Sequence, residues 1–581
     1  MIKKLIFWPG YSSFNRPLNK EEFTAIAETA KEAGFTHIDI GCALSERARW
    51  QLTNNGEYCE NYDFYPEYTA AFPSLFKFFI PEGLKGFLPE DYTKRNYDRM
   101  AEFAEVLKSL DLKASMDGGG PQFLPEAVYQ AHPDWRGPRC DFIWRSRQSY
   151  FPPCVDHPEV LNLYREASAG IHQIAPMLDT VGFQCGDSGT GVCYLDRLYP
   201  GGNGPARCAD IPLQQRFAGL ANAIADGMGK EDPCVYISST TVWNKSAPIQ
   251  FDYCTTKDTM YLVRVPVDKP VPVESPMTLL KEMDKAAHYD IVRVAVEDPR
   301  RLFTPKSIYP KLVREYIGKE TPGGEFGRLR RLHDLVREME PEADADALVN
   351  AWLLTDDAIE RVRELVLVSL YFYGCMSERW VMRPLVIDPE NLRPEEKDFY
   401  WPYVFNSQGE EAGNDLLDYH GTRWKVIAHN ADTADYAVRI FQSVLRRLDS
   451  AIAHLEKANT SEERCDQLKV FRCFTATIEH ILTFQAQLDR FHDQLPEFNH
   501  EMLTRTARLE YDNTLQLIEL LRKNPDLVMH TSEPEKENTF LFGPDMVEKL
   551  TKKNNVMIQH MHAITDAWFD RKEMSRQGRS R

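Results

Sequence analysis

Four short apolar stretches of this chain run into carboxylic acids. Asp39 lies in THIDIG, Asp117 in LKASMDGGG, Asp187 follows DTVGFQCG, and Glu297 with Asp298 closes YDIVRVAVEDP. Hydrolysis of a glycosidic bond needs two such groups, a protonated acid for the leaving oxygen and a carboxylate that attacks the anomeric carbon or activates water. Sugars also offer apolar C–H faces to aromatic rings and hydroxyls to charged side chains. Trp8, Trp135, Trp144, Trp243 and Tyr199 can supply the rings; Asp39, Lys113, Asp117, Arg136, Arg197 and Asp298 can supply the polar contacts. Asp187 and Glu297 are expected as the catalytic pair, with Asp298 or Asp117 as substitutes. Each aromatic taken alone is as well explained by core packing, and one or two of the acids by helix N-caps.

The densest chemistry falls in Asp179 to Gly204, where a buried-strand pattern passes into a glycine-rich polar loop carrying Asp187, Ser188, Asp196, Arg197 and Tyr199. Gly186-Asp187-Ser188-Gly189 spells the serine-protease string GDSG, but that chemistry needs an upstream His on an all-β double barrel, and the surroundings here alternate α and β. HExxH is absent. No GxGxxG follows the first strand, and no GxxxxGK[ST] occurs, so nucleotide cradles are unsupported.

From residue 1 to 318 short apolar strands alternate with amphipathic helices. Strands are expected at 4–9, 36–41, 112–120, near 179–184, at 233–243, 260–267 and 289–299. Such alternation implies a parallel sheet, and this number of units over this length suits a (β/α)8-type TIM barrel. The eighth strand is weak, with only FTPKSIYP (303–310) to offer, so a seven-stranded or distorted barrel stays open. Barrel active sites sit at the C-terminal strand ends, which on this reading supply Trp8, Tyr11, Asp39, Lys113, Asp117, Asp187, Trp243, Glu297 and Asp298. Arg264 and Arg293, inside strands, can pair with these acids. After Gly318 the period becomes 3.6, predicting an all-α domain over 319–581 with helices at 325–340, 345–352, 356–373, 432–457, 460–493, 498–523 and 544–570. An irregular insert at 377–425 carries Arg379, Trp380, Arg383 and Trp424, which either pack as a collar or reach a binding site.

Composition limits the partners. The 581 residues carry a formal net charge of -18 with 43% hydrophobic and 11% aromatic residues, and no long Lys/Arg cluster occurs. That argues against nucleic acid and an anionic membrane, and for a neutral or small polar substrate. No run of eighteen apolar residues and no signal-peptide pattern appear, so a cytoplasmic protein is expected. The twelve cysteines never come closer than eight positions, which excludes CxxC pairs. Reduced, buried thiols are expected, with no metal and no cofactor. The helical half offers surface enough for a homodimer.

A barrel with long loops, a Gly-rich strand-four loop and a large helical C-terminal domain resembles the family 67 α-glucuronidases and the related family 20 and 84 glycoside hydrolases. In family 67 the fourth strand runs into a Gly-Phe, three or four residues, then Asp-Ser-Glu-Gly, with an arginine further on. Here the phrase runs from Gly182-Phe183 to Asp187-Ser188-Gly189, with Arg197 later. Gly189 stands where that family keeps its Glu, so Asp187 would take over. The resemblance implies a carbohydrate-active barrel, and with the strand-end acids the expectation is a glycoside hydrolase acting exo on an oligosaccharide or small glycoside. A second reading is a metal-dependent sugar isomerase or epimerase, since AKEAGFTHIDIG (30–41) has the cadence of xylose-isomerase-like barrels, with His37 as the one strand-borne imidazole. A third is a carbohydrate-binding scaffold without turnover.

Overall fold

The architecture is given by a computed structural model that describes residues 2–9, 18–41, 74–139, 151–185, 190–193, 206–230, 233–238, 241–243, 260–265, 271–296, 299–319, 322–363, 380–400, 403, 431–492, 498–528 and 542–578. The chain forms two compact units, one of Met1–Val265 with Thr278–Arg328 and the other of Pro266–Met277 with Leu329–Arg581.

The first unit is built on β1 (Lys4–Trp8), β2 (His37–Asp39), β3 (Lys113–Gly119), β4 (Leu178–Gln184), β5 (Cys234–Ser238), β6 (Thr241–Trp243), β7 (Met260–Val265) and β8 (Ile291–Val296). They form one sheet in the order β6-β5-β4-β3-β2-β1-β8-β7. Seven strands run parallel, and only β6 pairs antiparallel, with β5. The expected eighth parallel strand is missing: 303–310 folds into the end of a helical turn and the start of helix Ile308–Tyr316, capped by Ser307. Among the described residues no pairing joins β6 to β7, so the sheet is a curled half-barrel and not a closed eight-stranded barrel.

Side-chain reach demonstrates the curl. Three strand spacings, about 14 Å when flat, separate β8 from β3, and five separate β8 from β5. Arg293 of β8 nevertheless bonds both Asp117 of β3 and Tyr236 of β5. Only a sheet closing on itself brings one guanidinium to both.

The crossovers follow from local sequence. Helix Lys20–Glu32 starts on a capping box between Asn19 and Glu22 and stops before Gly34, whose φ of +91° suits glycine. Pro158 opens helix Pro158–Ile174 from its first turn, and Gly229 in the left-handed region closes helix Leu213–Met228. Phe23 and Phe103 stack at 3.9 Å between helices Lys20–Glu32 and Glu90–Ser109, while Phe7 of β1 meets Phe35 and Phe303 at 5.3 and 4.8 Å. These contacts place helices on the convex face of the sheet.

The second unit is helical, with long helices Ala345–Arg363, Ala431–Lys457, Glu462–His492, His500–Lys523 and Met546–Gly578. The two helices expected at 345–352 and 356–373 are continuous as far as Arg363, Thr355 returning its hydroxyl to the Ala351 carbonyl instead of breaking the run. Its core holds a polar knot: buried Glu510 accepts from Lys553, from Thr477 at 2.8 Å and from His480 at 2.6 Å. Lys553 also donates to the Val381 carbonyl at 2.7 Å. Of the insert residues, Trp380 and Arg383 are buried, and Arg383 donates to Gln485. Arg379 and Trp424 lie outside the described residues.

Candidate functional site

The concave face of the sheet carries two polar layers. Parallel strands usually read as unbroken apolar runs, but β3 places Lys113, Ser115 and Asp117 at alternate positions, so one face of the strand is polar throughout. Between the two layers lies an apolar one of Ile6, Cys234 and Ile291, reaching up to Tyr236.

The layer nearest the N-terminal strand ends centres on Asp179. The β3–β4 register slips between Ala114 and Ser115, which leaves Asp179 as the extra residue and turns it toward its neighbours. It accepts from Lys4 at 3.1 Å, Lys113 at 2.9 Å, Thr180 at 2.6 Å and His37 Nε2 at 2.9 Å. Burial raises the Asp179 pKa, but His37 and Lys4 outweigh it and hold the carboxyl well below the usual range. Burial likewise pushes the His37 imidazole below its ordinary value, with Asp179 opposing. A neutral His37 that donates from Nε2 and accepts from Thr36 at Nδ1 (2.7 Å) fits the lowered imidazole pKa. Lys113 was expected at a C-terminal strand end; it is instead the first residue of β3 and belongs to this bracing layer, on the face that stabilises barrels. His37 belongs there too, its Nε2 committed to Asp179, which removes the imidazole on which a metal-isomerase reading depended.

The upper layer gathers Trp8, Asp39, Ser115, Asp117, Tyr236 and Arg293. Asp39 Oδ2 accepts from the Asp117 backbone N–H at 2.6 Å and from Ser115 at 3.3 Å. Asp117 Oδ2 forms an ion pair with Arg293, whose guanidinium also donates to Tyr236 at 3.1 Å and lies 4.5 Å from the centroid of the Trp8 ring. Burial, with Asp117 adding to it and Arg293 opposing, raises the Tyr236 pKa well above its ordinary value, so the phenol keeps its proton. Gly182 makes room for that ring, because a Cβ there would overlap it. All six residues are at most 7% exposed, so together they form a floor, not a rim. A carboxylate, a guanidinium and a phenol beside an indole are groups that can hydrogen-bond hydroxyls and pack against apolar C–H faces.

Trp8, Asp39 and Asp117 are therefore brought together at the C-terminal part of the sheet, and Arg293 pairs with Asp117 on its concave face. Tyr236 and Ser115 were missed, although the alternation in KASMDGG marks Ser115 and the single tyrosine of CVYIS marks Tyr236. Trp243 does not sit at a C-terminal strand end: β6 turns back along β5 and pairs it with Val235. Trp135 is packed in the fold, stacked on His132 at 3.9 Å and donating to Glu159 at 3.0 Å. Arg136 is held by Glu126 at 2.9 Å and lies over the rings of Tyr129 and Phe151. Both brace the loop after β3 instead of offering a free sugar platform. Asp187, Arg197, Tyr199, Glu297 and Asp298, with Tyr11 and Trp144, lie outside the described residues.

No protein-family model matches the chain, and no curated protein matches its sequence. A solved GH138 enzyme targeting pectin rhamnogalacturonan II aligns over 99% of this chain and 84% of its own, with a TM-score of 0.50 and 10% identity, a likeness that shows the fold alone. A GH36 alpha-galactosidase from Geobacillus stearothermophilus aligns over 57% of this chain and 42% of its own at 12% identity; its TM-score of 0.34 carries no argument. The GH138 structure is not of family 67, 20 or 84, the families that the strand-four phrase resembles. No helix among the described residues is long and apolar enough to cross a membrane.

Proposed function

We propose that the chain is a glycoside hydrolase acting exo on an oligosaccharide or small glycoside. The observation that carries this is the convergence of Asp39, Asp117, Arg293, Tyr236 and Trp8 from five strands on the concave face of a half-barrel sheet. In this reading the floor binds sugar hydroxyls. Asp187 and Glu297, which follow β4 and β8 in sequence, act as the two catalytic carboxyls, with Asp298, Arg197 and Tyr199 as further contacts. Pectic oligosaccharides are the first substrates to test, because the GH138 fold neighbour is described as targeting pectin rhamnogalacturonan II.

The test is turnover of aryl glycosides and pectic oligosaccharides by the wild type, Asp187→Asn and Glu297→Gln. Each substitution should lower kcat by ~10²–10⁴-fold, the range of general acid and base catalysis, with the melting temperature unchanged. Full activity in both variants ends the assignment of these two residues. Binding of sugars without turnover by the wild type would leave a carbohydrate-binding scaffold in place of an enzyme.

A further inference from the structure

Cys154, Cys193 and Cys208 lie 39 and 15 positions apart in the chain, a spacing that resembles no metal motif. The fold nevertheless brings all three sulfurs within 4.8 Å of one another, buried and in no disulfide. Cys154 belongs to the loop between β3 and helix Pro158–Ile174. Cys193 and Cys208 flank a segment of the connection between β4 and helix Leu213–Met228.

We propose that these three thiols form a zinc site that staples the loops following β3 and β4. The geometry is suitable. A Zn–S bond of about 2.3 Å in a tetrahedron sets sulfurs about 3.8 Å apart, and all three sulfurs already lie within 4.8 Å of one another. Backbone anchors fix the ligands: the Cys154 amide donates to the Trp135 carbonyl at 2.6 Å, its carbonyl accepts from His157 at 3.0 Å, and Gly191, two residues before Cys193, donates to the Pro121 carbonyl at 3.1 Å.

The surroundings also differ from those of a purely apolar thiol cluster. Arg216, itself 3% exposed, donates to the Cys193 carbonyl and, at 2.8 Å, to Asp156. Asp156 Oδ2 in turn lies 3.9 Å from the Cys154 sulfur. Three thiolates and one Zn²⁺ carry a net charge of -1, and the buried Arg216 guanidinium, which also pairs with Asp156, lies beside them to offset part of the local negative charge. Asp156 falls outside the group of mutually close ligand atoms, so the fourth corner goes to a solvent ligand. The site would clamp both ends of 193–208, the segment that contains Arg197 and Tyr199. It stands independently of the hydrolase proposal, because its ligands and its test do not involve turnover.

The experiment is metal analysis of the full chain purified under reducing conditions, followed by replacement of zinc with Co²⁺. One equivalent of zinc per chain is expected, and the cobalt form should show the thiolate charge-transfer and intense visible bands of a tetrahedral site. Cys154→Ser, Cys193→Ser and Cys208→Ser should each weaken zinc binding by ~100-fold or more, whereas Cys465→Ser and Cys473→Ser, buried in the helical unit, should leave it unchanged. Three results would overturn the proposal: no zinc or cobalt uptake by the reduced wild type, undiminished uptake by Cys193→Ser, or a disulfide between two of the three cysteines in protein trapped by alkylation in acid. The wild-type measurements decide the matter even where a variant does not fold.

Discussion

Replacing Arg293 by Met keeps most of the side-chain length while removing the charge that four strands share. Its guanidinium is paired with Asp117, both side chains being at most 10% exposed, and it also lies over Trp8. Removing one member of a buried pair leaves the other charge uncompensated in a poor solvent, at a cost of about 3–5 kcal/mol. The expected destabilisation of Arg293→Met is therefore about 3–5 kcal/mol, concentrated in β1, β3, β5 and β8. Peptide-resolved hydrogen exchange is the appropriate assay, because it reports local opening free energy without assuming that the two units unfold together. The double variant Asp117→Asn/Arg293→Met removes both charges, and replacing such a pair by neutral groups is often close to neutral. It should recover to within about 2 kcal/mol of the wild type, giving a strongly non-additive cycle. If Arg293→Met costs less than about 1 kcal/mol, or if the two substitutions simply add, the polar floor is not the electrostatic unit described here.

Two further outcomes follow from buried charge elsewhere. In the helical unit, Lys553→Met leaves fully buried Glu510 without its cationic partner and should destabilise that unit by about 3–5 kcal/mol, with Glu510→Gln/Lys553→Met largely restoring it; denaturant titration would refute this if the single variant matched the wild type. The Asp179 cluster predicts a two-step acid sensitivity. The folded pKa of His37 lies below its unfolded value, so its contribution is complete above about pH 6.5 and declines as pH falls through that value toward the folded pKa. The folded pKa of Asp179 is likewise depressed, so its contribution is complete above about pH 4 and is lost on further acidification. His37→Asn should flatten the upper step of the melting temperature against pH and leave the lower one. Identical upper slopes in variant and wild type would refute the neutral imidazole.

The seven parallel strands and most helix positions could be read from sequence because they rest on local signals. These are the capping box at Asn19, the glycines at 34 and 229, and apolar periods of 2 and 3.6. Asp39, Asp117 and Trp8 were identifiable for the same reason, each falling within or beside an apolar strand pattern. Local pattern could not show that the chain reverses between Ser238 and Thr241, because both halves of CVYISSTTVW have strand composition and only pairing distinguishes one strand from two. Nor could it place Lys113, since a residue's position along a strand is fixed by register with its neighbours, and the slip that turns Asp179 toward Lys4, His37 and Lys113 exists only in the β3–β4 pair. The joining of Arg293 to Asp117 and Tyr236, and of Cys154 to Cys193 and Cys208, spans tens to nearly two hundred residues. Composition and periodicity determined which elements form, because those depend on neighbours a few positions away. The curl of the sheet decided which side chains meet, because that depends on the closure of strands distant in sequence.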